Sequence, residues 1–220
     1  MLVRVNTAYR RPVDGDLAAL GGDRVFCSEF TYRGGAEIFG EGEESEYLYQ
    51  IIFGAVRTHK LLLDGRRQIN GFHLPGDMFG FESGAVHRFT AEAIVQTNVH
   101  LTRRRSLLDP TNREVDATNF VDLITRNLQH AESHMLLLGR KTSLERVAAF
   151  LLEMDERLAH PDVLSLPMNR RDIADYLGLT LETVSRALSS LRDKKVLLFD
   201  GPTRRKVVLL DRKRLAELNA

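Results

Sequence analysis

Two hydrophobic periods divide the chain. In its first half, apolar residues fall in short runs rich in β-branched and aromatic side chains, over Tyr47–Phe53 and over residues 55–63, 68–74 and 91–101, the length and composition of strands. Glycine punctuates these runs, and thirteen of the sixteen glycines lie at or before Gly84. Asp64-Gly65 separates two of them, a pair that takes the positive dihedrals of a tight hairpin turn. Gly34-Gly35, Gly40, Gly42, Pro75-Gly76 and Gly84 supply further corners. The pattern predicts a compact antiparallel barrel or roll, not an alternating α/β unit, with no internal repeat or low-complexity tract.

After Pro110 the period lengthens to that of a helix. Phe120, Ile124, Leu128, Ala131, Met135 and Leu138 recur three and four apart, one stripe along a helix of about 20 residues. An apolar stripe needs cover, either the chain's own roll or a second helix. Its length, the Leu136-Leu137-Leu138 run and its place between two domains suit a parallel pair across a two-fold axis. The expected division is a roll in residues 1–115, a dimerisation helix in 116–139 and a further domain in 140–220.

That last region has the grammar of a helix-turn-helix. Thr142 with Glu145 forms a capping box, and Leu144, Val147, Ala148, Leu151 and Leu158 turn inward. Pro161 and Pro167 bound a short extended link. Asn169 and Asp172 repeat the capping box before Ile173, Ala174 and Leu177. Gly178 then permits a left-handed turn, Leu179 fills the angle between helices, and Thr180 caps the next helix. In that helix Leu181, Val184, Leu188 and Leu191 form the buried stripe, while Glu182, Ser185, Arg186 and Ser189 share the opposite face. Residues 196–199 and 206–210 flank the turn Asp200-Gly201-Pro202-Thr203, a β-hairpin placed as a wing.

Charge changes how this module is read. Residues 1–139 hold 15 Lys and Arg against 18 Asp and Glu, residues 140–220 hold 16 against 12, and residues 170–214 hold 12 against 6. The local basic excess suits a polyanion. On the exposed face of the second helix, Glu182 can accept from a cytosine amino group and Arg186 can donate to guanine O6 and N7, while Ser185 and Ser189 fit where a longer side chain would clash. Glu182 and Arg186 also form an i,i+4 ion pair on the simpler reading. Arg170, Arg171, Thr180, Arg192, Arg204, Arg205 and Lys206, with Lys194 and Lys195, are candidates for phosphate contacts, which set register and affinity without reading bases.

Other chemistry is thinner. The start of the chain lacks an apolar core segment followed by a small-residue cleavage site, and no run of eighteen apolar residues can span a bilayer, so a cytoplasmic protein is expected. The single cysteine, Cys27, cannot form an internal disulfide and suits a reducing compartment; it is a candidate redox-sensitive thiol, with an inert one as the alternative. His130 and His134 share a helix face without further ligands and read as surface or interface residues. His59, His73, His87 and His100 show no ligand spacing. No nucleophile and base pair marks an active site, which leaves a metal-dependent, cupin-like enzyme with a regulatory domain as a distant alternative, and no cofactor or metal is expected.

The chain resembles the CRP/FNR family of transcription regulators along essentially its whole length. The resemblance is carried by the glycine-punctuated roll with Val56-Arg57 and Asp64-Gly65-Arg66-Arg67-Gln68-Ile69, then Phe72-His73-Leu74-Pro75-Gly76-Asp77-Met78-Phe79-Gly80, the long helix, and Leu177-Gly178-Leu179-Thr180-Leu181-Glu182-Thr183-Val184-Ser185-Arg186. It implies an α+β chain with an N-terminal double-stranded, cyclic-nucleotide-binding-like β-roll, a long dimerisation helix and a C-terminal winged helix-turn-helix that binds palindromic double-stranded DNA as a homodimer. Glu182-x-x-Ser185-Arg186 resembles the FNR and FixK branch, which reads TTGAT-type half-sites. The match implies that Glu182 and Arg186 read the G·C pair and that Ser185 approaches the adjoining thymine. It also implies an activator that contacts RNA polymerase at genes of low-oxygen or nitrogen-related metabolism. Cys27 alone cannot supply a four-cysteine iron-sulfur sensor. The cyclic-nucleotide branch carries a Gly-Glu motif and then an Arg-Ser or Arg-Ala pair. Here Glu82 is kept, but Phe81 replaces the glycine and Phe89 follows Arg88, which favours a regulator without a bound effector over the cyclic-nucleotide-dependent alternative.

Overall fold

A computed structural model of the chain describes residues 28–105, 117–159, 162–201 and 205–218. Its contacts gather into two compact units that divide between Gln129 and His130.

The alternating runs of the first unit form eight strands: β1 Ser28–Tyr32, β2 Glu37–Phe39, β3 Tyr47–Phe53, β4 Val56–Leu61, β5 Arg67–His73, β6 Met78–Phe79, β7 Thr90–Ala93 and β8 Thr97–Arg103. They make two four-stranded antiparallel sheets, in the orders β1-β8-β3-β6 and β2-β7-β4-β5. Residues two apart on β3, Tyr49 and Ile51, enter a core with Tyr32, Phe39, Val56, Phe79, Ala91, Ala93 and Val99, as the two-residue period of a strand requires. The expected Asp64-Gly65 turn joins β4 to β5, with Leu61 opposite Arg67 and Asp64 Oδ1 accepting from the Arg66 amide at 3.0 Å.

One expected strand is two. The run over residues 91–101 breaks after Ala93, because β7 pairs with β2 and β4 in one sheet while β8 pairs with β1 and β3 in the other. Alternation survives on both sides of the crossing, so the pattern hides it. The corner is tight: a Cβ on Gly54 would lie 2.5 Å from Thr97 Oγ1 and 2.6 Å from Gln96 O, and φ there is +98°, so only glycine fits.

Helix α1, Ala117–Arg140, realises the long helical period. Within the chain it buries Leu123 and Leu137, whereas Val121, Ile124, Leu128, Met135 and Leu136 stay between 39% and 68% exposed. Of the anticipated stripe, Phe120 and Leu138 are half-buried and Ala131 is exposed. Phe120 meets the edge of Phe81, with ring centroids 6.4 Å apart. The ends of the stripe thus find cover in their own chain and its middle does not.

The second unit continues with α2 Ser143–Arg157, β9 Leu164–Ser165, α3 Arg170–Leu177, α4 Leu181–Asp193, β10 Leu197–Asp200, β11 Lys206–Leu209 and α5 Arg212–Glu217. Both expected capping boxes form, Thr142 with Glu145 and Asn169 with Asp172. Val147, Ala148, Phe150, Leu151 and Met154 of α2 are fully buried with Ile173 and Leu177 of α3 and Val184, Leu188 and Leu191 of α4. Strands β10 and β11 pair Asp200 with Lys206, the predicted wing. The expected extended link between the two prolines contributes a third strand, β9, which pairs Leu164 with Val207.

A candidate nucleic-acid interface

Helix α4 is two-faced because its ends and its packing fix its rotation. Gly178 ends α3 at φ 62°, ψ 37°, and Thr180 Oγ1 accepts from the Thr183 amide at 3.2 Å to start α4. Val184, Ala187, Leu188 and Leu191 are buried. Leu181, expected in that stripe, is 36% exposed, because as the first residue of the helix it precedes the turns that pack.

The opposite face carries the anticipated polar set. Glu182 and Arg186 are exposed, Ser185 and Ser189 half-buried. Ser185, Arg186 and Ser189 line one shallow depression with Ser190, Asp193 and Lys194. Glu182's own backbone amide holds its carboxyl below the usual value, followed by the Thr180 hydroxyl, and the charges of Arg171 and Arg186 add to this. The carboxylate at the first turn also suits the positive end of the helix dipole. Among the described residues no hydrogen bond or ion pair holds Arg186. Helix α4 therefore presents an exposed carboxylate and an uncommitted guanidinium one turn apart, the chemistry that matches a G·C pair in the major groove.

The surrounding cations differ in their engagements. Arg170 is half-buried; it donates to Ser185 Oγ at 3.3 Å and lies 5.3 Å from the centre of the Phe199 ring, so it braces α4 to the wing strand β10. Arg192 is turned onto neighbouring Asp193 at 2.8 and 3.0 Å. Arg171, Thr180, Arg205 and Lys206 are exposed. Arg212 is committed to Asp155, whose carboxylate is 2% exposed and accepts at 2.8 and 3.0 Å, so one member of the basic excess serves packing. Arg204 and Cys27 lie outside the described residues.

Sequence spacing missed a polar seam among α1, α2 and α3. His130 Nε2 lies 2.9 Å from Glu153 Oε1, which also accepts from Arg157 Nη1 at 3.1 Å. Burial works against the Glu153 carboxylate, but His130 and Arg157 outweigh it and keep the group below its usual value. His134 Nε2 lies 2.9 Å from Tyr176 O and its ring stacks on Tyr176, centroids 4.1 Å apart and planes 5° apart. Burial lowers the His134 value. The two histidines are thus spent on separate partners. Arg146 donates to three main-chain carbonyls, those of Lys141, Leu177 and Leu138, at 2.9, 3.0 and 2.9 Å.

In the first unit the Glu82 side chain is 5% exposed, and both its oxygens accept from Arg88, from Nε at 2.8 Å and from the backbone amide at 3.0 Å. Arg88 lies 5.6 Å from the centre of the Phe89 ring. His87 stacks on Phe39 at 3.6 Å; its Nδ1, 3.7 Å from Glu82 Oε1, is too far for a hydrogen bond, and burial lowers its proton affinity. Among the described residues no group of three or more His, Cys, Asp and Glu is placed to hold a metal ion, and no helix is long and apolar enough to cross a membrane.

Comparison with known proteins agrees with this geometry. Residues 29–108 match the cyclic nucleotide-binding domain, and residues 145–218 the Crp-like helix-turn-helix domain. The nitrogen fixation regulation protein FixK of Rhizobium meliloti is 44% identical over 180 residues, 82% of this chain and 81% of that protein. Its namesake from Azorhizobium caulinodans is 41% identical over 210 residues, 93% and 82% of the two chains. The structure of FixK2 from Bradyrhizobium japonicum superposes with a TM-score of 0.82 at 56% identity, covering 89% of this chain and 98% of that one.

Proposed function

The chain belongs to the CRP/FNR family and is a FixK-like DNA-binding transcription regulator, and from that premise we propose that it acts as a homodimer on palindromic DNA with TTGAT-type half-sites. The observation that carries this reading is the outward face of α4, where Glu182, Ser185 and Arg186 project at helical spacing over a core of Val184, Leu188 and Leu191. Arg186 donates to guanine, Glu182 accepts from its paired cytosine, Ser185 meets the adjoining thymine, and Ser189 touches base or backbone. Arg170, Arg171, Thr180, Arg192, Arg204, Arg205 and Lys206 set register on phosphates, the duty of Arg170 being shared with its brace on Ser185.

The uncovered middle of the α1 stripe, Ile124, Leu128, Ala131 and Met135, is assigned to the partner helix. The three functional segments are a roll in residues 1–115, the dimerisation helix in 116–139 and the winged module in 140–220. In the cytoplasm the bound dimer recruits RNA polymerase and activates transcription, and Cys27 is its candidate redox-sensitive thiol.

Operator binding proceeds without an effector. Glu82 is the carboxylate kept from the cyclic-nucleotide branch, and each of its oxygens already accepts from Arg88, so this pair is engaged within the chain, while Phe81 and Phe89 depart from that branch's motif. Titrating purified, ligand-free protein onto a TTGAT palindrome should give the same affinity with and without cyclic AMP. Specific binding seen only after cyclic AMP is added reverses this reading in favour of a cyclic-nucleotide-dependent regulator.

A further inference from the structure

The last turns of α1 pack in the second unit, with the winged module, since the division between units falls at His130. Their polar ties converge on one place. The final carbonyls of α3 have no partner inside that helix. The Tyr176 carbonyl is taken by His134, and the Leu177 carbonyl by Arg146, which also takes Leu138 at the end of α1 and Lys141 just after it. Tyr176 is 1% exposed, stacked face to face under His134 and edge-on to Phe150, and its hydroxyl donates to Glu153 at 3.3 Å, the same carboxylate that His130 meets. These carbonyls stand immediately before Gly178 and Leu179, the turn that launches α4. A guanidinium on helix C-terminal carbonyls is charge-assisted and directional, and a stacked ring resists rotation where an aliphatic contact slides. Neither tie involves a residue of α4.

We propose that His134 and Arg146 are positioning residues for operator recognition, locking the end of α3, and with it α4, to the last turns of α1 so that a dimer presents its two recognition helices at one fixed separation. This rests on the two-fold reading above. A dimer of this kind selects half-sites about one helical turn apart, and only a stiff link between dimerisation helix and recognition helix converts a wrong spacing into lost affinity. Loosening the link lets each α4 follow its half-site, so discrimination between spacings falls while discrimination between bases persists.

The test uses the full chain on palindromes whose central spacer is lengthened or shortened by one or two base pairs. Wild type should favour one spacer by about tenfold or more over its neighbours, the order of a single lost base contact. His134→Ala, and Arg146→Lys, which keeps the charge but cannot serve three carbonyls, should flatten that preference to within about threefold while keeping the preference for guanine in each half-site. His134→Phe, which keeps the stacked ring and loses the donor, should fall between. Thermal melts establish which variants fold. Folded variants with the wild-type spacer profile overturn the proposal, whatever their melting temperatures; if His134→Ala does not fold, an unchanged profile in His134→Phe and Arg146→Lys does so equally. A wild type with a guanine preference but no spacer preference contradicts the two-fold reading itself and removes the ground of this inference with it.

Discussion

Arg186 and Arg205 are both exposed arginines of the winged module, and the proposal assigns them opposite duties. Arg186 stands on the polar face of α4 over buried Val184 and Leu188, so Arg186→Ala opens no core cavity. It should leave folding intact and remove discrimination for guanine worth about 1–3 kcal/mol per half-site. Arg205, beside the wing strand, should on truncation weaken all duplexes evenly and lower the salt dependence. Titrations of both variants on the palindrome, on a version with its guanines changed and on random duplex separate the two roles; an Arg186→Ala protein that still prefers guanine at that position ends the assignment. Burial also lowers the proton affinity of His87, His100 and His134 below their ordinary value of 6.5. As pH falls below 6.5 the unfolded chain takes up protons that the native rings refuse, so stability is full above that value and is lost on acidification. The melting temperature should fall between about pH 7.5 and about pH 5.5, and His100→Gln should flatten the slope; a melting temperature independent of pH across that window contradicts it.

Among the elements, those specified by local chemistry were the ones legible in the sequence. The boxes Thr142–Glu145 and Asn169–Asp172, the Gly178 turn and the Asp64-Gly65 hairpin each need residues a few positions apart, and all four form. What the sequence concealed depends on partners far along the chain: the sheet crossing after Ala93, the strand β9 that owes its existence to Val207, and Arg146, whose three acceptors are main-chain carbonyls with no signature of their own. The α1 stripe lies between these cases, since its period reveals an apolar face and not what covers it. Leu128 is 57% and Met135 66% exposed. A charge at either site should cost the native chain little on its own and weaken assembly by putting an unpaired group into the helix pair. Sedimentation of Leu128→Glu and Met135→Glu tests this: both should shift toward monomer, and an unchanged dimer in both places the interface elsewhere.

On the scale of the whole molecule, a β-roll and a winged module are joined by one helix that divides between the two units at His130. The outward polar face of α4 was legible because a two-faced helix separates it from its core by spacing alone. The contacts of Arg170 with Ser185 and of His134 with Tyr176 were not, since they arise only when distant segments meet. We propose that this chain, without an effector, recognises a two-fold DNA sequence through Glu182, Ser185 and Arg186. The most direct measurement is selection of bound duplexes from a random library by purified, ligand-free protein. The selected pool should converge on two inverted TTGAT-type half-sites at one spacing, with the G·C pair invariant in each. A pool that stays random, or that converges only when cyclic AMP is present, contradicts effector-free recognition by this face.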